Sequence, residues 1–205
     1  MKRGIKAIAL ILGIVMLLTG CGSFFNASAY VQASLDASYK GDFSRYKQLV
    51  NITEDQMQAD YEAGYQSEAD VFAQHFGVKT LTDNSLDKLA NLYKTLYENV
   101  SYEVGESKND KDGFAVDVKI KPITIFKDNL AGIDAAVQQF NEQNLAGAYV
   151  NLTTEQFEDT YVQMILDVIS PSLENIPYGN EKTLTLNLYK AENRIYYIDE
   201  NDLSA

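Results

Sequence analysis

Tryptophan is absent from the sequence, cysteine and histidine occur once each, proline three times, and 17 basic residues face 29 acidic ones in a chain of 205. Each shortage removes a class of chemistry. The single cysteine, Cys21, leaves no internal disulfide to form. With one histidine, His75, and no further thiol, the usual ligand sets for zinc are unavailable. A Ser-His-Asp hydrolase would have to use His75 as its base, and no Gly-x-Ser-x-Gly elbow exists to present the serine. A formal net charge of −12 with no basic stripe disfavours nucleic acid and anionic polymers and mildly favours cations or basic peptides. Long apolar runs are missing too, apart from the fourteen uncharged residues Ala7 to Gly20. Those fall short of the ~20 residues that cross a bilayer.

That one run is informative through its flanks. Lys2, Arg3 and Lys6 precede it as a positive n-region, and its length fits the h-region of an export signal, for which about 7–15 apolar residues are typical. Leu18-Thr19-Gly20-Cys21 follows and resembles a lipobox, the motif cut by lipoprotein signal peptidase ahead of a cysteine that carries diacylglycerol. The resemblance implies a bacterial lipoprotein of Gram-positive type. Residues 1–20 would be a cleaved signal peptide and Cys21 the acylated first residue, with membrane lipid as its permanent partner. The expected location is the extracytoplasmic face of the cell membrane. Two or three acyl chains, palmitate among them, at roughly 0.8 kcal/mol per buried methylene, anchor stably where one chain is marginal. A plain secretory signal and a short anchoring helix are the alternatives for the same run.

Cleavage would leave 185 residues, enough for one domain or two small ones with a hydrophobic core. The removed segment holds three basic residues and no acid, so the charge would fall from −12 to −15. Residues 21–28 read as the lipid-attachment site and a short tether. Gly22 to Ser28 are seven residues and span no more than about 25 Å even when extended. The domain is therefore expected close to the membrane, with Phe24 and Phe25 either dipping into the lipid interface or packing on the domain.

The body of the chain carries an internal repeat with an offset of one hundred residues. Val50-Asn51-Ile52-Thr53-Glu54-Asp55-Gln56-Met57 is echoed by Val150-Asn151-Leu152-Thr153-Thr154-Glu155-Gln156-Phe157. Each copy has a Thr followed three residues later by Gln, the pattern of a capping box, so each is expected to start a helix. Met57, Tyr61 and Tyr65, like Phe157, Tyr161 and Ile165, recur every four residues as an apolar stripe expected in the core. Tyr30, Val31, Leu35, Tyr39, Phe43 and Tyr46 mark a helix before the first copy, and Ile133, Val137, Phe140 and Leu145 one before the second. Ser85-Leu86-Asp87-Lys88-Leu89 opens a further amphipathic helix with Tyr93, Leu96, Tyr97 and Val100.

Strand signals form two hairpins. Val100 to Glu106 and Phe114 to Phe126 flank Asn109-Asp110-Lys111-Asp112-Gly113, a polar stretch whose Asp-Gly reads as a turn. Val116, Val118 and Ile120 alternate with Asp117, Lys119 and Lys121, and Pro122 marks an edge position or a bulge. The closing hairpin joins Lys182–Tyr189 to Arg194–Asp199 through Ala191-Glu192-Asn193. An isolated hairpin is marginal in water, so both are expected in one antiparallel sheet of about four strands with helices packed on it. The fold class expected is α+β, built as a duplicated helix-helix-β-hairpin unit, 29–126 and 127–205, packed as one domain or as two docked lobes. This order of elements resembles the cystatin-like and NTF2-like α+β folds of small Gram-positive lipoproteins. The resemblance transfers no functional residue.

Candidate chemistry is sparse. Placing Gly113 at the sixth position of a calcium loop puts Lys108 first and Lys119 twelfth, where carboxylates are needed. Asp199-Glu200-Asn201-Asp202 reads as a polar tail, although a divalent ion between carboxylates stays open. Glu54, Asp55, Asp60, Glu155, Glu158 and Asp159 cluster near helix starts, where the helix dipole favours negative charge. Asn51-Ile52-Thr53, Asn99-Val100-Ser101 and Asn151-Leu152-Thr153 match the glycosylation sequon, but two of them are by-products of the repeated cap. The aromatic inventory, fourteen Tyr and nine Phe, is the remaining candidate. Tyr189, Tyr196 and Tyr197 on the last hairpin form the candidate contact surface, since adjacent Tyr196 and Tyr197 must point to opposite faces of a strand.

Two functional readings follow. The preferred one is a membrane-anchored, non-enzymatic binding or protein-interaction module of the cell envelope. It needs no cofactor, and its partner is an envelope protein, a peptide or a small ligand. The alternative is an envelope hydrolase that works through carboxylates, with or without a metal.

Overall fold

The structure, a computed structural model, describes residues 25–111, 113–190, 196–198 and 202. It divides into two compact units. One takes Met1–Gly64, Val100–Lys121 and Glu181–Ala205, the other Tyr65–Asn99 and Pro122–Asn180. Each unit therefore draws on both halves of the chain, and the helix Glu54–Phe76 contributes residues to both.

The first unit is a sheet with a helix against it. Strands β1 (Ser101–Asp110), β2 (Gly113–Lys121), β3 (Lys182–Lys190) and β4 (Tyr196–Ile198) lie in that order, each antiparallel to the next. The two hairpins thus share one sheet. Pairing of Val116 with Leu186 and of Phe114 with Leu188, which in turn pairs with Ile198, sets the apolar residues on one face. Helix α1 (Ala27–Lys40) packs against β1 and β2. Asn26 caps its start by accepting from the Ala29 amide, and Gly41 ends it in the left-handed region at φ 61°, where a Cβ would be strained. Tyr30, Val31, Leu35 and Ala37 of α1 are buried, as are Val116, Val118, Leu186, Leu188 and Ile198 of the sheet. Removing a Val or Leu side chain of this kind from water is worth about 1.5–3 kcal/mol.

Backbone crowding explains two glycines in this sheet. A Cβ on Gly113 would lie 1.7 Å from the Leu188 carbonyl oxygen, so only glycine lets β2 and β3 pair there. Gly105 sits where the β1–β2 register shifts between Val104 and Ser107, and a Cβ on it would crowd the Asp117 carbonyl at 2.9 Å.

The second unit is helical. It comprises the end of α2 (Glu54–Phe76), then α3 (Asp83–Glu98), the single turn α4 (Ile125–Asp128), α5 (Leu130–Leu145), α6 (Thr154–Ile169) and a 3-10 turn at Ser170–Leu173. Phe72 of α2, Leu89, Leu92 and Leu96 of α3, Ile133 of α5, and Val162, Ile165, Leu166 and Ile169 of α6 form one continuous core. The α3 residues fall at i, i+3 and i+7, the spacing of a core-facing stripe. At its N-terminus Thr82 accepts from the Ser85 amide. Thr82 and Ser85 both hydrogen-bond Asp159 of α6, and Lys88 donates to Gln163 at 2.6 Å, so polar contacts tie α3 to α6.

Local expectations fail where chain context intervenes. The strand expected to run from Phe114 to Phe126 stops at Lys121, because Pro122 has no amide to donate and β1 has no residue left to pair beyond Ser101. Ile123 instead bridges Tyr178, and the Pro122 carbonyl accepts from Gly179. The helix expected through Phe43 and Tyr46 ends at Gly41; those two aromatics are buried from the following connection, Tyr46 in a 3-10 turn at Tyr46–Gln48. On α6 the buried stripe is Glu158, Val162, Ile165, Leu166 and Ile169, while Phe157 and Tyr161 flank it beside the Phe140 ring. Leu145, expected on the apolar face of α5, is 89% exposed at that helix's last position.

Candidate functional site

The three tyrosines of the last hairpin lie on two faces of the sheet. Tyr196 shares the α1 side and stacks flat on Phe25, with ring centroids 4.0 Å apart and planes 4° from parallel. Phe25 also touches Phe114 at 5.4 Å and Tyr30 at 5.9 Å, so the first described residue is held in an aromatic clasp. Tyr189 and Tyr197 pair across β3 and β4 on the opposite face, 5.9 Å apart, with Tyr197 41% exposed. That face is otherwise polar. Lys108 donates to Asp117 at 2.8 Å, Thr185 donates to the same carboxylate at 2.7 Å, and Lys119 reaches Glu103 at 3.5 Å. The hydrogen bond from Lys108, then the one from Thr185, holds the Asp117 carboxyl below its usual range. Asp202 accepts from both the backbone and the side-chain amide of Asn187.

A concave site lies within the helical unit. Residues of α3, α6 and the 3-10 turn line an open cleft of about 340 Å³. Leu92, Leu166, Ile169 and Leu173 are its apolar lining, and Lys88, Asn91, Thr95, Gln163 and Ser170 its polar one. Helical geometry gathers them: Lys88, Asn91 and Thr95 are three and four residues apart on α3, and Gln163 and Ser170 are two turns apart. Thr95 and Ser170 donate to carbonyls one turn back, Asn91 and Leu166, leaving each hydroxyl oxygen able to accept. Asn91 carries a side-chain amide, which presents a donor and an acceptor as a peptide group does, whereas the Gln163 amide accepts from Lys88 at 2.6 Å and donates to Asp167 at 2.7 Å. The size falls at the small end of the ~300–1,000 Å³ usual for ligand sites.

Acidic groups are placed elsewhere. Glu68 of α2 accepts from the Tyr97 hydroxyl at 3.1 Å, and burial pushes its carboxyl up against the lowering effect of that bond. Burial, then the nearby Glu68 charge, raises the Tyr93 phenol. Asp159 runs the other way: hydrogen bonds from Ser85 and then Thr82 hold its carboxyl down. His75 is exposed on α2, edge-on to Phe76. Among the described residues no group of three or more His, Cys, Asp or Glu side chains is placed to hold a metal ion. Leu18, Thr19, Gly20 and Cys21 lie outside the described residues, as do the turn Ala191-Glu192-Asn193 and the tail acids Asp199 and Glu200.

The cleft was not singled out by the sequence. Its two walls are some seventy-five residues apart, as Lys88 and Gln163 are, and only folding reveals them as neighbours. A usable signal was present in the polar side chains Asn91 and Thr95 flanking the core residue Leu92.

These features define an α+β protein with a four-stranded antiparallel sheet and no helix long and apolar enough to cross a membrane among the described residues. No family model and no curated protein matches the sequence. Among solved structures, the fold is similar to that of ycdA from Bacillus subtilis, described as a candidate lipoprotein, with a TM-score of 0.55 and 16% sequence identity. The match covers 87% of this chain and 53% of that one, so the chain spans about half the length of the structure it resembles.

Proposed function

We propose that the protein is a lipid-anchored envelope protein of the extracytoplasmic face that binds a ligand through the α3–α6 cleft and performs no chemistry on it. Three lines support this. The amino terminus has the charge, apolar run and Leu18-Thr19-Gly20-Cys21 order of a lipoprotein signal. The fold is similar to that of a protein described as a candidate lipoprotein. The observation that carries the binding role is the cleft itself, whose leucines and isoleucine suit an apolar side chain while Asn91 suits a peptide group. A short peptide segment is the ligand class that matches both. The carboxylate-hydrolase alternative requires two converging acids, and the cleft lining contributes none.

The test is a titration of the Ser23–Ala205 chain with short envelope-derived peptides, followed by amide NMR. Saturable shifts clustered at Asn91, Thr95, Gln163 and Ser170 are expected, with Asn91→Ala weakening binding about tenfold, or ~1.4 kcal/mol. Shifts confined to the Tyr189–Tyr197 face, or substrate cleavage during the titration, would overturn the assignment.

A further inference from the structure

The Phe25 clasp bears on how the sheet unit meets a membrane. Phe25 stands four residues after Cys21, and a chain extends about 3.5 Å per residue, so an acylated Cys21 lies no more than about 14 Å from the clasp. The clasp marks one end of the sheet. Phe25 rests on Phe114, the second residue of β2, and on Tyr196, the first residue of β4. That end holds the last rung of β1 and β2, Asp110 with Gly113, and the rung of Gly113 with Tyr189, which pairs in turn with Tyr197. The opposite end, at Ser101, Lys121 and Lys182, is eight residues further along β2, about 27 Å away at ~3.4 Å per residue.

We propose that the end of the sheet carrying Lys111, Tyr189, Lys190 and Tyr197 faces the lipid headgroups, with the Tyr189–Tyr197 pair as its contact with the bilayer surface. The proposal rests on the lipid-anchor reading above. Its partner is a lipid surface because the tether leaves that end no other place to be. Without the clasp the chain would first be held at Ala27, the start of α1, six residues after Cys21, which allows about 21 Å of reach. With Phe25 seated between Tyr196 and Phe114, the reach from Cys21 is cut to four residues, about 14 Å. The exposed groups at this end suit an interface. Tyr197 presents an apolar ring with a polar tip, and phenols of this kind settle at the headgroup level. Among the described residues at this end, Lys111 and Lys190 are exposed cations and Asp110 is an exposed acid. Exposed cations are drawn to an anionic leaflet.

The absence of tryptophan makes the test direct, because one introduced indole is the only one in the chain. The full chain, purified from membranes with its lipid, is reconstituted into phosphatidylglycerol–phosphatidylethanolamine vesicles containing a headgroup spin label. Lys111→Trp is expected to be quenched at least about threefold more than Lys121→Trp, both being exposed positions. Adding Phe25→Ala to each lengthens the reach and is expected to bring the two values closer. Equal or reversed quenching in the parent pair would overturn the orientation, and an unchanged ratio after Phe25→Ala would overturn the role of the clasp. Mass spectrometry of the same preparation separates the two levels. An unacylated Cys21 removes the anchor reading and the orientation with it, whereas an acylated Cys21 with equal quenching removes the orientation alone.

Discussion

The two copies of the Val-Asn-Ile/Leu-Thr motif start helices alike and are buried differently. At the start of α2 the Gln56 amide donates to the Thr53 hydroxyl at 3.2 Å, and at the start of α6 the Gln156 amide donates to Thr153 at the same distance. Beyond that the copies part. Val50 is 7% exposed and Val150 75%; Met57 and Tyr61 are buried, while Phe157 and Tyr161 lie partly open beside Phe140. Four residues further on, the order reverses, for Ile165 is fully buried and Tyr65 is not. The sheet unit therefore uses the beginning of its motif helix as core, and the helical unit uses the end. A cap is a local device and repeats with the sequence, whereas burial belongs to whatever packs on the helix.

The largest effect should come from the buried aromatic of the first copy. Tyr61 packs edge-on to Phe43 at 6.2 Å, and Tyr61→Ala is expected to cost about 3 kcal/mol, while Tyr161→Ala, at a half-buried site, should cost about half that. Urea denaturation of the two variants decides it; equal losses would erase the asymmetry. The valines give a cleaner contrast of smaller size. Val50→Ala should cost about 1–1.5 kcal/mol and Val150→Ala within ~0.5 kcal/mol of nothing.

A third contrast concerns a position where the copies differ in sequence. Ala59 in the first copy aligns with Asp159 in the second, and Asp159 is the carboxylate that takes hydrogen bonds from Ser85 and Thr82 at the start of α3. Those bonds depress its folded-state pKa below the unfolded value. A carboxyl lowered on folding contributes stability above its unfolded pKa and loses it as the pH falls through the folded one. Asp159→Ala is thus expected to destabilise by about 1 kcal/mol at neutral pH, a figure kept low because solvent reaches the site. The difference from the parent should shrink as the pH falls below about 4. A difference independent of pH would mean that packing, not charge, is lost.

What could be read in the chain and what could not divides along the same line. Caps at Thr53 and Thr153, alternation in Val116-Asp117-Val118, and the pairing of two marginal hairpins into one sheet all follow from local chemistry. The buried side of α6 did not, because Phe157, Tyr161, Val162, Ile165, Leu166 and Ile169 leave an apolar arc too wide for the sequence to say which edge is covered. Tyr196 and Tyr197 do point to opposite faces, as strand geometry requires, but that Phe25 lies on the first of them depends on where the start of the chain crosses the sheet. The cleft was invisible for the same reason, since α3 and α6 are far apart in sequence and each looks like an ordinary amphipathic helix.

The smallest contrast lies in the caps, where the two copies are most alike. In α6 the box is complete: Thr153 accepts from the Gln156 amide, and the Gln156 side chain accepts from the Thr153 amide at 3.0 Å. In α2 the Gln56 side chain turns away and donates to Asp60 at 2.8 Å, so the return bond is missing. The Thr is therefore worth about 1 kcal/mol in both copies. The Gln is not. Gln156→Ala removes a bond to an otherwise orphaned amide and should cost about 0.5–1 kcal/mol. Gln56→Ala gives up only an exposed side-chain pair on the helix surface, worth about 0.2–0.5 kcal/mol. Amide hydrogen exchange sharpens the comparison beyond the stability difference, since the Thr153 amide should lose protection in Gln156→Ala while the Thr53 amide stays as it was in Gln56→Ala. Protection of the Thr53 amide in the parent protein would show that the first box also closes in solution, and the two copies would then differ in burial alone.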